Sequence, residues 1–151
     1  MSKTVLIIED DEASVKYLQT LIAESGYKAI SAGDGAEGIK KAMEDKPDLV
    51  VLDVMMPKKS GFGVFQSMKK EESLKKIPVI MLTSIKSVIE EGREKGGHTT
   101  FEEMKDFYLD KLDKLVGKHR ETGDSKPEVF MDKPIDPEDF LKAVTRLIGQ
   151  A

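Results

Sequence analysis

The chain of 151 residues contains no cysteine, which excludes disulfides and any thiolate metal site. It has two histidines, His98 and His119. Both stand isolated among polar residues, the setting of solvated surface side chains rather than of metal ligands. No apolar run approaches the roughly 18 residues that span a bilayer. The N-terminal Met1-Ser2-Lys3-Thr4 leads straight into an apolar strand and does not resemble a signal peptide. No membrane insertion is expected, and a cytoplasmic location is the default. Basic excess is missing too: 24 Lys and Arg against 28 Asp and Glu give a net charge of −4, so direct nucleic-acid binding has no electrostatic support. There is no internal repeat and no low-complexity tract. The length suits one domain with a full core.

What the chain does have is a set of short apolar runs that end in chemistry-bearing residues. Leu49-Val50-Val51-Leu52 reads as a strand buried on both faces, and it ends in Asp53. Pro57 and Gly61 then force a loop. Val5-Leu6-Ile7-Ile8 is a second such strand, ending in Glu9-Asp10-Asp11-Glu12. Lys28 to Ala32 is a short strand. Val79-Ile80-Met81-Leu82, opened by Pro78, ends at Thr83-Ser84, and Glu128-Val129-Phe130-Met131 ends at Asp132-Lys133-Pro134.

Between these runs the apolar spacing is helical. Val15, Leu18, Leu21 and Ile22 stripe a first helix closed by Gly26. Ala36, Ile39, Ala42 and Met43 stripe a second. Phe62, Phe65 and Met68 lie on a third, about Gly61 to Lys70. Asp136 caps a last helix with Pro137 at its first position, and its face carries Phe140, Leu141, Val144, Leu147 and Ile148. Met43, Met68, Met81 and Met131 all fall on apolar faces and are expected in the core. The pairs Lys58-Lys59, Lys69-Lys70 and Lys75-Lys76 read as solvated helix ends.

Five apolar strands alternating with helices imply a doubly wound, five-stranded parallel α/β sheet covered on both faces. The carboxyl ends of its strands gather on one edge, where ligands bind in such sheets. That edge collects Glu9, Asp10, Asp11, Asp53, Thr83, Ser84 and Lys133. Taken alone, Asp53 is equally a turn residue closing a strand. Clustered carboxylates, however, repel one another unless a cation joins them, and oxygen ligands suit Mg²⁺. A lysine and a hydroxyl beside such a metal suit a phosphoryl group in transfer, and a carboxylate can itself be the nucleophile. Gly33-Asp34-Gly35-Ala36-Glu37-Gly38 spells a dinucleotide fingerprint, but its two acids would face a pyrophosphate. It reads better as a glycine turn and helix start.

These segments together, in this order and spacing, resemble the receiver domain of bacterial two-component response regulators. The matching pieces are Leu6 to Asp11, Leu52 to Pro57 with Gly61, Val79 to Ser84, and Asp132-Lys133-Pro134. The resemblance implies a flavodoxin-like fold of the chemotaxis-regulator type and a single receiver domain over 1–151. Asp53 resembles the phosphoacceptor. Asp10 resembles the direct acidic Mg²⁺ ligand, with the Met55 carbonyl as another and Glu9 acting through a metal-bound water. Asp11 is either a further member of that shell or surface charge. Thr83 resembles the hydroxyl that binds the phosphoryl group, and Lys133 the lysine that pairs with it, before a cis bond to Pro134. Phe130 occupies the rotamer-switch position.

The implied function is a phosphoacceptor switch of a phosphorelay. A histidine kinase or phosphotransfer protein phosphorylates it, it signals to an unknown downstream protein, and it is an enzyme only towards its own phosphorylation and dephosphorylation. Its rivals are a phosphorylation-independent binding module and an aspartyl-phosphate phosphohydrolase. The latter needs a second acid two residues after the nucleophile, where this chain has Met55. Met55 and Ile85, both apolar, occupy the family positions that flank the attacking water and imply a long-lived phosphorylated state.

One departure stands out. Fifty positions separate Thr83 from Lys133, far more than is usual in the family, which places an insertion at about 86–127. Phe101, Met104, Phe107, Tyr108, Leu112, Leu115 and Val116 give it an amphipathic helix, about Thr100 to Val116. This helix either caps the local core or meets a partner or a second copy, as a homodimer, through Phe107, Tyr108 and Leu112.

Overall fold

A computed structural model of the chain describes residues 3–54, 61–83 and 127–151. Met55, Lys58-Lys59, Ile85, both histidines and the whole inserted helix lie outside the described residues. The strands are β1 (Thr4–Ile8), β2 (Lys28–Ala32), β3 (Leu49–Asp53), β4 (Val79–Thr83) and β5 (Val129–Asp132). They form one parallel sheet in the order β2-β1-β3-β4-β5. The helices are α1 (Glu12–Glu24), α2 (Gly35–Asp45), α3 (Gly61–Lys70) and, after β5, α4 (Pro137–Ile148).

The three central strands are apolar except for the polar residue at one end of each, because each is covered twice. Val5, Ile7, Leu49, Val51, Ile80 and Leu82 face one way, onto Leu18 and Ile22 of α1 and Phe140 and Val144 of α4. Leu6, Ile8, Val50, Leu52, Val79 and Met81 face the other way, onto Ala42 of α2 and Phe62, Phe65 and Met68 of α3. A strand's side chains alternate between its two faces, so a continuous apolar run is what a doubly covered strand needs. Each large side chain so buried contributes about 1.5–3 kcal/mol of transfer free energy.

The helix ends are set by local hydrogen bonds. Asp11 caps α1 by accepting from the Ser14 amide at 3.0 Å and the Ser14 hydroxyl at 2.7 Å, and the chain leaves through Gly26 at φ 92°. Asp34 caps α2 by accepting from Glu37 N–H at 2.9 Å. Asp136 and Pro137 start α4 as the sequence predicts. Beyond α4 the tail is tied back: Tyr27 OH donates to the Gly149 carbonyl at 2.6 Å, and the Lys3 ammonium donates to the Ile148 carbonyl.

Four expectations need correcting. Ala36 is exposed and Met43 is 40% exposed, because α2 approaches the sheet through Gly38 instead. A Cβ on Gly38 would lie 2.6 Å from Ile8 Cδ1, so the bare backbone is what packs. Lys69 is not solvated. It is 2% exposed, its ammonium sits 5.2 Å from the Phe65 ring centroid, and it donates to the Lys75 carbonyl at 3.1 Å. The fifth strand runs one residue later than predicted and includes Asp132. Glu128 instead clamps the start of β4, its amide donating to the Val79 carbonyl at 3.1 Å and its carboxylate accepting from Val79 N–H at 2.6 Å. Met131 is half-buried at the margin of the core, whereas Met68 and Met81 are fully buried.

Candidate functional site

Residue Glu9 follows β1 directly and is 2% exposed; its amide donates to the Ala32 carbonyl at 3.1 Å. Asp53 is the last residue of β3 and is 3% exposed. Asp10, between β1 and α1, is exposed. Each of these three acids offers a carboxylate oxygen within 4.8 Å of the others. The β3 end is tightly wrapped: a Cβ on Gly61 would fall 2.4 Å from the Asp53 carbonyl oxygen, and Gly61 N–H donates to the Val54 carbonyl at 3.0 Å. Glycine is needed there for the close approach.

The opposing charge comes from β5. Lys133 follows that strand, with its amide donating to the Thr83 carbonyl at 2.8 Å and a cis bond to Pro134, as expected. Its ammonium donates to Glu9 Oε2 at 2.8 Å and lies 3.8 Å from Asp53 Oδ1. Burial alone would lower the lysine's pKa. The hydrogen bond to Glu9, and the charges of Asp53, Glu9 and Asp11, outweigh that and hold it above 10.5. Among the described residues, one ammonium faces three carboxylates.

Thr83 ends β4 and is 1% exposed. Its hydroxyl donates to Asp132 Oδ1 at 3.1 Å. Phe130 is half-buried and packs on the core that includes Phe62 and Phe65. The structure therefore brings Glu9, Asp10, Asp53, Thr83 and Lys133 to one sheet edge. Asp11 is drawn away into the α1 cap, and the hydrogen bonds from the Ser14 hydroxyl and amide hold its carboxyl below the ordinary 3.8. The Glu9–Lys133 pair and the Thr83–Asp132 bond were missed in the sequence. Both cross chain separations above 45 residues, and no local pattern marks them.

A parallel, doubly wound sheet with three acids and a lysine at its carboxyl edge places the chain among α/β domains that gather charged side chains where such sheets bind ligands. The description "response regulator receiver domain" matches residues 5–116. The polar-differentiation response regulator DivK of Brucella ovis is 38% identical over 151 residues, covering all of both proteins. The alkaline phosphatase synthesis regulator PhoP of Bacillus subtilis is 43% identical over 84 residues, which are 56% of this chain and 34% of PhoP; the match thus spans about a third of that relative. The fold is that of the chemotaxis protein CheY4 of Vibrio cholerae, with a TM-score of 0.70 at 24% identity over 97% of this chain and 99% of that one. It is also that of the receiver domain of sensor histidine kinase PA1611 from Pseudomonas aeruginosa, whose structure holds a magnesium ion in its active-site cleft, with a TM-score of 0.69 at 16% identity over 99% and 100% of the two chains. The chain belongs to the response regulator receiver family. Members of this family are signalling switches rather than conventional enzymes, and no helix among the described residues is long and apolar enough to cross a membrane.

Proposed function

We propose that Asp53 is the phosphoacceptor of this receiver, that a histidine kinase or phosphotransfer protein is the physiological donor, and that the cytoplasm is its compartment. The observation that carries the assignment is the placement of Asp53: a buried carboxylate at the end of a central strand, within 3.8 Å of the Lys133 ammonium and grouped with Glu9 and Asp10. An Asp53 oxygen bonds to phosphorus. The P–N bond of a phosphohistidine, or the P–O bond of a small donor such as acetyl phosphate, breaks, and imidazole or acetate takes the electron pair. The product is a mixed anhydride. Hydrolysis reverses it: a water oxygen bonds to phosphorus, the electron pair of the breaking bond returns to Asp53, and inorganic phosphate leaves.

The donor set fits a hard divalent cation. Three carboxylate oxygens converge and their charge exceeds that of the lysine, a mismatch that Mg²⁺ relieves with ligands of its preferred kind. Asp10 and Asp53 would hold it directly and Glu9 at one remove; the Met55 carbonyl lies outside the described residues. Bound Mg²⁺ supplies charge neutralisation to the phosphoryl oxygens. With that charge present, Lys133 need no longer neutralise Glu9 and its ammonium can turn to the phosphoryl group; the Thr83 hydroxyl is the second donor once it leaves Asp132. Phe130 is the proposed relay to the output surface. We assign the stretch at about 86–127 as an insertion in a single domain and the place where a downstream protein or a second copy docks.

Incubation with acetyl phosphate and Mg²⁺, read by intact mass, tests the reading. The protein should gain one phosphoryl group, and Asp53→Asn or omission of the metal should abolish the gain. A chain that folds but takes no label is a phosphorylation-independent binding module, and the proposal fails.

A further inference from the structure

Strand β4 lies between β3 and β5 in the sheet; Asp53 of β3 is in register with Leu82, the residue before Thr83, and Thr83 itself is in register with Asp132 of β5. The Thr83 hydroxyl donates to Asp132 Oδ1 at 3.1 Å. Lys133 N–H donates to the Thr83 carbonyl at 2.8 Å, which fixes the two backbones against each other. A hydroxyl has a single proton to donate. A carboxylate is a strong acceptor for it, because a charged partner makes the bond shorter and firmer than a neutral one.

We infer that Asp132 is a positioning residue that latches the Thr83 hydroxyl in the resting state, so that its release from Asp132 is part of the cost of phosphorylation. The inference rests on the reading of Asp53 as the phosphoacceptor and Thr83 as a donor to the phosphoryl oxygens. Phosphoryl oxygens and Asp132 compete for one proton, and the switch can occupy only one of the two arrangements at a time. A ligand shifts such an equilibrium by its differential affinity for the two states. Removing the rival acceptor therefore favours the arrangement that serves the phosphoryl group. The role assigned to Asp132 is exerted through Thr83.

The latch is tested first without phosphate. Three-bond couplings about χ1 of Thr83, measured by NMR, should report one rotamer in the parent and an averaged set in Asp132→Ala, with an intermediate result in Asp132→Asn, which keeps a neutral acceptor. Beryllofluoride with Mg²⁺ then serves as the phosphoryl mimic. Asp132→Ala should bind it about tenfold more tightly than the parent, a factor equivalent to about 1.4 kcal/mol. In a Thr83→Ala background the same substitution should change affinity by less than about twofold. An unchanged Thr83 rotamer in Asp132→Ala overturns the latch. So does an equal gain in the Thr83→Ala background, because the effect would then be loss of negative charge alone. If the parent binds no beryllofluoride and takes no label from acetyl phosphate, the phosphoacceptor reading falls, while the coupling measurement still decides whether Asp132 holds Thr83.

Discussion

The two halves of the active edge are built on opposite principles. At the β1 and β3 ends, Glu9, Asp10 and Asp53 bring like charges together within 4.8 Å. At the β4 and β5 ends, donors meet acceptors: Thr83 with Asp132, the Lys133 amide with the Thr83 carbonyl. Among the described residues the first half gathers three acids against the one ammonium of Lys133. The second is satisfied at rest and must be rearranged to do anything else. Lys133 links them, leaving β5 to lie on Glu9 and near Asp53. The proposed function, metal binding followed by a switch, would use both: one half that gains on loading and one that resists moving until loading occurs.

The largest effect on stability should come from cutting that link. Lys133→Met leaves Glu9 buried beside Asp53 without the one cation paired with it among the described residues. Breaking a fully buried pair costs about 3–5 kcal/mol. Lys133 keeps 26% of its side chain in solvent, so we expect about 2–3 kcal/mol in urea unfolding of the metal-free protein. An unchanged midpoint would mean that the two halves are independent. The lysine's own titration runs the same way. Its folded pKa is raised above the ordinary 10.5, so its contribution is complete below the unfolded value and is lost as pH rises through the folded one. The parent should therefore lose stability above about pH 10.5 by more than Lys133→Met does.

Next come metal and charge removal. Mg²⁺ at a hundred times its dissociation constant should stabilise the parent by about 2.7 kcal/mol. Asp53→Asn should lose most of that gain, yet melt about 2–4 °C higher than the parent without metal, because one of the crowded charges is gone. Glu9→Gln should show no such rise, since it also gives up the Lys133 pair. Equal behaviour of the two variants would mean that Glu9 and Asp53 depend on Lys133 to the same degree.

The smallest effect belongs to Asp11, which the structure removes from the metal group. Its carboxyl is held below 3.8 by the Ser14 hydroxyl and amide. A depressed carboxyl stabilises above its unfolded pKa, and that contribution fades as pH falls through the folded one. Thermal melts of Asp11→Ala and the parent should differ at pH 7 and converge on acidification below 3.8, while Mg²⁺ affinity stays within about twofold. A large loss of affinity would return Asp11 to the site.

The sequence made the strands legible because covering a strand on both faces leaves no polar position inside it. Val5 to Ile8, Leu49 to Leu52 and Val79 to Leu82 could hardly be anything else. Glu9, Asp53 and Thr83 were legible for the same reason, as the first polar groups after their runs, and Asp10 and Lys133 follow one position later. What stayed hidden was set by contacts without a local pattern. Gly38 carries α2 against Ile8 with no side chain to mark the face, so the apolar spacing points to Ala36 and Met43 while the structure leaves both exposed. Lys69 is buried because its stem lies along Phe65 and a carbonyl six residues on accepts its proton. The Glu9–Lys133 and Thr83–Asp132 pairs exist only once β4 and β5 are aligned, after a long stretch of chain whose composition says nothing about register.

The central claim is that this edge delivers a phosphoryl group to Asp53 and to no other residue. Phosphorylating the protein with acetyl phosphate and Mg²⁺, reducing the acyl phosphate with borohydride, and sequencing the digest by mass spectrometry tests it most directly. The account predicts reduction at residue 53 in the parent and at no position in Asp53→Asn. Stoichiometric modification at Glu9, Asp10 or Asp132, or full labelling of Asp53→Asn, would contradict it.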